Sequence, residues 1–369
     1  MNFPQVIIFG DSTFNTLGVI RSLGKAGKDF FLILYTDDDY CDVLKSRYVN
    51  KGRAYKTHDF EEVGRFLDEA ETGSVRPVLI CTFDAAAEYI DINEPHLCSK
   101  FITPCRGKRI GNLFNKEKQC LLAAECGLTV PATQVFRRSD VDILSNVSYP
   151  CLIKPLISTG GEKGDIHICQ SAKDLNDALT AQSDCTEFVM QEYIHKEYEL
   201  DCMGVVTEDE IIIPGAIRKI RHYPEETGAG AFAVYVPARR LNIDFSPLYE
   251  FLKRSNYHGV FSAEFLHTKD GKNYFMEVNF RNDGLAWAPT CAGANLPLIY
   301  ADSNHKYDEA EVRKIYMMNY GIDYLYVKNG KVSKISWWKD FLRTRCYINA
   351  SFHDPMPTLA HYLRKLGLA

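Results

Sequence analysis

Hydrophobic and polar positions alternate strictly along FMEVNFRND, near residue 275. Glu277, Asn279 and Arg281 fall on one side of the pattern, and Met276, Val278 and Phe280 on the other. Period two predicts a strand with one buried face. The run VFSAEFLH, Val260 to His267, predicts a second strand, and Asp270-Gly271 between the two predicts a hairpin with a two-residue type I′ turn. In that register Glu264 faces Glu277 and Ser262 faces Asn279. Like charges directly opposite each other are destabilising. The pair makes sense if a cation lies between the two acids, and two carboxylates with an amide suit Mg²⁺. The other reading is a solvated hairpin face with an accidental acid pair.

The rest of the chain changes period several times. QVIIFG (Gln5 to Gly10), FFLILYT and PVLICTF (Pro77 to Phe83) are short apolar runs of the kind buried in parallel sheets, and Leu17, Ile20 and Leu23 mark a helix ahead of a break at Gly27. Strands alternating with helices predict an open parallel sheet that ends near Pro104. The first strand is followed by GDSTFNTLG, which lacks the GxGxxG of a dinucleotide site, so nicotinamide chemistry is disfavoured. Asn115 predicts the cap of a helix from Lys116 to Cys126, closed by Gly127. YPCLIKPLISTGGEKGDIHIC predicts strand, glycine loop and strand, with Lys154 just before the loop. Backbone N–H groups of such a loop can wrap phosphate oxygens, with the lysine adding charge; the bland alternative is a flexible hairpin tip.

Further on, Val189 to Ile194 predicts a strand entering a connector, and Glu199 and Asp201 alternate with Leu200 and Cys202 on the next strand. Ile211 to Ile220 predicts another strand, with Arg218 and Lys219 late in it. CAGANLP (Cys291 to Pro297) introduces a helix, YLYVKNGKV predicts a hairpin around Asn329-Gly330, and DPMPTLAHYLRKL predicts a terminal amphipathic helix. His222 reads as a loop histidine without a role, and Trp337-Trp338 as packing.

Composition narrows the field. The 369 residues predict two or three domains, and 46% hydrophobic with 25% charged content is that of a soluble globular protein. A net charge of −5 gives no electrostatic case for nucleic acid as partner. No run is long enough for a membrane span, and MNFPQVIIFGDS lacks the features of a signal peptide, so no membrane insertion and a cytoplasmic location are expected. Twelve cysteines without CxxC or framework spacing predict free thiols.

The order of parts, namely a lysine-led helix, Lys154 before a glycine loop, a Gln-Glu hinge and EF…EVNFR, resembles the ATP-grasp carboxylate–amine ligases over roughly the first 300 residues. The opening GDSTFNTLGVIRSLGKAG, with Ser-Arg-Tyr at Ser46 to Tyr48, is most similar to the branch containing D-aspartate ligase and related amino-acid ligases. The resemblance implies an α/β (α+β) fold: an open parallel α/β domain over 1–104, a two-lobed ATP-grasp domain over 105–300 (small lobe about 112–190, larger lobe about 191–300) and a C-terminal extension over 301–369 packing on the core.

The same resemblance assigns roles. Lys116 and Lys154 would grip ATP phosphates beneath a lid loop containing Ser158, Gly160, Gly161 and Lys163. Gln191, Glu192, Tyr193 and Ile194 would read adenine, Glu199 would take the ribose and Leu266 would pack on the base. Glu264, Glu277 and Asn279 would hold two Mg²⁺ ions, for which Mn²⁺ can substitute. Arg281 would meet the transferred phosphoryl group or substrate carboxylate. From charge and place alone, Arg218, Lys219 and Arg221 are candidates for the acid substrate's free carboxylate. The implied reaction is ATP-dependent, ADP-forming ligation of a small carboxylate to an amine through an acyl phosphate, in cell-envelope or small-peptide biosynthesis. The alternatives are a carboxylase, a carbamate-forming enzyme or a non-catalytic nucleotide-binding module. Small-molecule acid and amine are the expected partners, and homodimers are common in the family.

Overall fold

The computed structural model describes residues 5–70, 72–73, 75–139, 147–155, 167–182, 185–223, 225, 229–305 and 307–367. Its strands form three sheets. The first is parallel, in the order β3-β2-β1-β4, from β1 (Val6–Asp11), β2 (Phe31–Tyr35), β3 (Ala54–Thr57) and β4 (Val78–Cys81). Val6 to Phe9 are fully buried, as continuous apolar runs in two-sided sheets require. β3 and the helix Phe60–Glu69 carry weaker patterns and are additions to the expected elements.

The second sheet is antiparallel, in the order β5-β8-β6-β7, built from β5 (Thr133–Arg137), β6 (Cys151–Pro155), β7 (His167–Cys169) and β8 (Glu187–Glu192). It has a small core of its own, with Phe136, Ile153, Leu175, Phe188 and Met190. β6 and β7 are the strands expected on either side of the glycine loop. Ser158, Gly160, Gly161 and Lys163 themselves lie outside the described residues.

The third sheet is the largest, in the order β13-β12-β9-β10-β11-β14-β15. It comprises β9 (Lys196–Val206), β10 (Ile211–Tyr223), β11 (Ala229–Pro237), β12 (Gly259–Thr268), β13 (Asn273–Asn279), β14 (Ile315–Met318) and β15 (Thr344–Tyr347). One apolar cluster joins it to the first sheet, with Val6, Ile8, Leu17 and Ile20 packed together with Met203, Val205, Ile217, Tyr235, Trp287, Leu296 and Met317. The first sheet is thus anchored to the largest one.

Two local expectations are corrected. The β12–β13 hairpin pairs Glu264 with Glu277 and Ser262 with Asn279, as the alternation requires, but its loop is not a two-residue turn. Gly271 N donates to Thr268 O (2.9 Å) and Thr268 N to Lys272 O (3.0 Å), so Lys269, Asp270 and Gly271 form a three-residue loop. Gly271 sits at φ +85°, the left-handed position such loops reserve for glycine. The longer loop shifts the register by one at Phe265, opposite Phe275, and a bulge at Met276 restores it before Glu277.

The second correction concerns Asn329-Gly330, which is a helix end and not a hairpin. Tyr320–Lys328 is helical, Gly330 lies at φ +71°, and Lys331 N donates to Tyr326 O at 2.9 Å. A left-handed glycine after an α-helix satisfies the last carbonyls, and the same dipeptide serves either purpose.

Candidate functional site

The acid pair lies on the face of the largest sheet that packs against the first sheet. Its position is fixed by the helix Lys116–Glu125. Asn115 caps that helix, its side chain accepting from Lys118 N at 3.1 Å. One turn on, the Gln119 amide pairs with the edge of β13, accepting from Val278 N (2.6 Å) and donating to Val278 O (3.0 Å). With helix and strand locked together, Lys116 Nζ reaches Glu277 Oε2 at 2.5 Å. Asn279 Nδ2 donates to Glu264 Oε1 at 3.0 Å. Arg281 follows β13; it donates to Asn279 Oδ1 (3.3 Å) and pairs with Asp283 (3.3 Å) and with Asp84 of the first layer (2.7 Å). Two carboxylates and one amide oxygen therefore hold the guanidinium in one orientation.

A second cluster shares this face. Lys219 Nζ lies 3.0 Å from Glu199 Oε2 and 3.1 Å from Asp201 Oδ2. Lys196 reaches Glu199 at 2.5 Å, and His222 Nε2 lies 3.3 Å from it. Across the strands Asp201 pairs with Glu264, and Leu266 with Glu199, which places all four side chains on one face.

The electrostatics follow from crowding and burial. Burial raises the Glu264 carboxyl pKa; Lys219 opposes that rise and Glu277 adds to it. Burial likewise holds Asp201 well above the usual carboxylate range against the pull of Lys219. Burial alone would depress Lys219, yet Asp201, Glu264 and Glu199 outweigh it and hold the ammonium well above its ordinary value. Lys154, on β6, is pushed down by burial and then by Lys116. Burial works against Lys116 as well, but Glu277 overcomes it and raises its pKa.

Glu199 supplies a test of this network. Burial would raise its pKa, but the His222 contact, Lys219 and Lys196 together hold it far below the ordinary 4.5. A carboxylate depressed on folding stabilises the protein above its unfolded pKa, and that contribution is lost as pH falls through the folded value. Glu199→Gln should therefore flatten the loss of stability below pH 4.5, read by urea unfolding across an acid series. An unchanged acid slope would refute the network.

The remaining sequence candidates fall in two groups. Gln191 and Glu192 end β8, and Tyr193 and Ile194 form the link to β9 between the smaller and larger sheets. Glu192 N donates to Ala132 O (2.8 Å), its carboxylate accepts from Ala132 N (3.1 Å), and Tyr193 N donates to Pro150 O (3.4 Å). Ile194 is buried. These residues stand where a hinge would be. The side chains of Arg218 and Arg221 do not join the cluster. Alternation along β10 turns Arg218 to the opposite face, where its guanidinium stacks 3.9 Å from the Tyr198 ring centroid. Arg221 forks onto Asp323 (2.8 Å) and Asp340 (2.7 Å), tying the C-terminal helices to β10. Of the three basic residues only Lys219 faces the acids. His222 is a buried strand residue and not a loop histidine. Asp84, Asp283 and Lys196 escaped the sequence reading; only the place of Asp84, beyond the C-terminal end of parallel strand β4, could have signalled it.

Among the described residues no three His, Cys, Asp or Glu side chains converge as a ready metal cage. The donor set is instead two carboxylates and an amide. Asp201 Oδ1 and Ser262 Oγ are buried on the same face without a protein partner. Each of the paired glutamates is contacted by a donor, Glu277 by an ammonium and Glu264 by an amide N–H. This is an oxygen-rich floor that fits a hard divalent cation.

No family model matches the chain. It is 24% identical over 204 residues to N5-carboxyaminoimidazole ribonucleotide synthase of Aquifex aeolicus (strain VF5), covering 52% of this chain and 53% of that protein, so it spans about half the length of this curated relative. Among solved structures, N5-carboxyaminoimidazole synthetase from Staphylococcus aureus complexed with ADP superposes with a TM-score of 0.68 at 15% identity, over 89% of this chain and 86% of that one. The chain has the ATP-grasp fold. A second ATP-grasp neighbour is N5-carboxyaminoimidazole synthase from Aspergillus clavatus with ADP and 5-aminoimidazole ribonucleotide (TM-score 0.63, 14% identity, 85% and 81% coverage). A third is the biotin carboxylase domain dimer of Hydrogenobacter thermophilus 2-oxoglutarate carboxylase, with MgADP, ADP and bicarbonate (TM-score 0.62, 15% identity, 86% and 74% coverage). D-aspartate ligase, suggested by the opening motif, is not among these relatives. No helix among the described residues is long and apolar enough to cross a membrane.

Proposed function

We propose that the protein is an ATP-dependent, ADP-forming ligase that activates a small carboxylate as an acyl phosphate and transfers the acyl group to an amine. The observation that carries this reading is the convergence of Lys116, Lys154, Glu264, Glu277, Asn279 and Arg281 from three parts of the chain. The link 191–194, which joins β8 of the smaller antiparallel sheet to β9 of the largest sheet, is consistent with it.

In this reading Lys154 and Lys116 hold the nucleotide phosphates, and the link Gln191 to Ile194 presents backbone donors and acceptors to the base. Leu266 packs on the base, and Glu199 accepts from the ribose hydroxyls. Glu264, Glu277 and Asn279 would hold a pair of magnesium ions, which when bound offset charge on the terminal phosphates. Arg281, fixed by Asp84 and Asp283, orients the oxygen that attacks phosphorus. Positioning and charge neutralisation supply most of the rate, and no protein nucleophile is required.

A second reading takes bicarbonate as the acid and forms a carbamate. The names of the relatives favour it: a carboxyaminoimidazole product in one group, and bicarbonate bound to the carboxylase neighbour. A matrix of acids, bicarbonate included, against amines, with ADP and phosphate release as readout, separates the two readings. No release with any acid–amine pair would reject both. Lys154→Ala should raise the KM for ATP by about ten- to a hundredfold, the worth of a charge-assisted hydrogen bond. Its effect on the acid substrate's KM should be smaller, and equal effects on both would rule out a phosphate role.

A further inference from the structure

A cavity of about 520 Å³ lies away from the acid cluster, lined by Arg239, Arg240, Glu311, Val312, Arg313 and Lys314 together with Ala310. Its volume is in the range of small-molecule sites, but its lining is charged. Four cations and one anion surround it, a local excess of three positive charges in a chain of net −5.

One of these cations builds the wall. The Arg239 guanidinium donates to Val312 O at 2.7 Å and to Ala310 O at 3.3 Å, and also to Glu309 O. It thereby pins the segment that carries Arg313 and Lys314 against the turn that follows β11. The other three, Arg240, Arg313 and Lys314, are exposed and form no ion pair among the described residues. Elsewhere on this protein basic side chains commonly meet acids, as Arg53 meets Asp29, Arg254 meets Glu125 and Lys331 meets Glu225. Three unpaired cations around one concavity repel one another, and an anion seated between them relieves that repulsion.

The cavity is separate from the ATP-grasp site. Lys219, in the acid cluster, pairs with Ala233, whereas Pro237, just before Arg239, pairs with Gly215. Four residues of strand separate those pairs, about 13 Å at strand rise, and the cavity lies beyond.

We propose that this cavity binds a small phosphorylated anion carrying at least two charged groups, such as a diphosphate or bisphosphate metabolite. Arg240 and Arg313 supply planar forks that match phosphate oxygens, and Lys314 adds a point charge. The concave shape and the overall negative charge of the protein favour a small ligand over a polymer.

Calorimetric titration of the full chain with inorganic pyrophosphate, in excess MgADP, tests the proposal. Wild type should bind pyrophosphate with an affinity that falls as salt rises. The triple variant Arg240→Ala/Arg313→Ala/Lys314→Ala should bind it at least tenfold more weakly while keeping its MgADP-induced rise in Tm, which shows that it is folded. Equal pyrophosphate binding by the two proteins overturns the proposal. So does binding of a duplex oligonucleotide at this face with none of pyrophosphate. A wild type that ignores MgADP but binds pyrophosphate at least tenfold more tightly than the triple variant would refute the nucleotide reading above and leave this one standing.

Discussion

Glu277→Gln should lower ADP formation about 10²- to 10³-fold, the loss of about 3–4 kcal/mol of transition-state stabilisation that follows removal of one preorganised electrostatic group. The side chain stands directly opposite Glu264 and is held by Lys116 at 2.5 Å. Glutamine keeps the shape but removes the charge, so a cation shared between the two acids loses half of its carboxylate partners. Lys116 loses its counter-charge at the same time and becomes free to sit elsewhere. The variant should fold, because Glu277 is partly solvated and its strand is fixed independently by Gln119 on Val278. Steady-state ADP release gives the rate and urea unfolding the fold. A variant with wild-type turnover would remove the basis for placing phosphoryl chemistry on this sheet.

Asp354→Ala should cost about 3–5 kcal/mol of stability, the usual result of stripping one partner from a buried ion pair. The Asp354 side chain is fully buried and accepts from Arg21 Nε (3.0 Å), Ser46 Oγ (2.9 Å) and Arg47 N (2.9 Å). Arg21 is equally inaccessible, and burial lowers its pKa although Asp354 opposes the shift. Without the carboxylate a guanidinium remains buried and unpaired. The double replacement Arg21→Met/Asp354→Leu should recover much of the loss, because it removes both charges and fills the space. Urea midpoints for the three proteins decide it; a single-mutant cost under about 1 kcal/mol would contradict the burial argument.

The same contact explains part of what the sequence could convey. Ser46 to Tyr48 entered as a family mark. Physically they are a clasp: Ser46 and Arg47 bind Asp354, while Tyr48 packs on the first helix where a Cβ at Gly24 would collide with its ring. The first parallel strands, the helix Lys116–Glu125 and the Glu264–Glu277 pairing were legible because each rests on local signals: an apolar run, a cap, a period of two. The loop length of the β12–β13 hairpin was not, since Asp-Gly suits both two- and three-residue turns and a bulge hid the difference. Asn329-Gly330 misled for the same reason. The parting of Arg218 from Lys219 was readable from alternation along β10, but the place of Arg221, beyond a shift in register, was not. Its role depends on that shift, and on distant acids such as Asp323 and Asp340 that no nearby residue announces.

β14 and β15 extend the largest sheet past β11, although they come from the last third of the chain's second half. Phe232 to Tyr235 of β11 are paired on that flank by Ile315 to Met318. A shortened chain ending before Ile315 would bare a row of amides and carbonyls along an apolar ribbon, the kind of template on which neighbouring molecules stack into aggregates. Fragments that stop before Ile315 would therefore make poor reagents, and the tail is best regarded as a built-in guard against self-association.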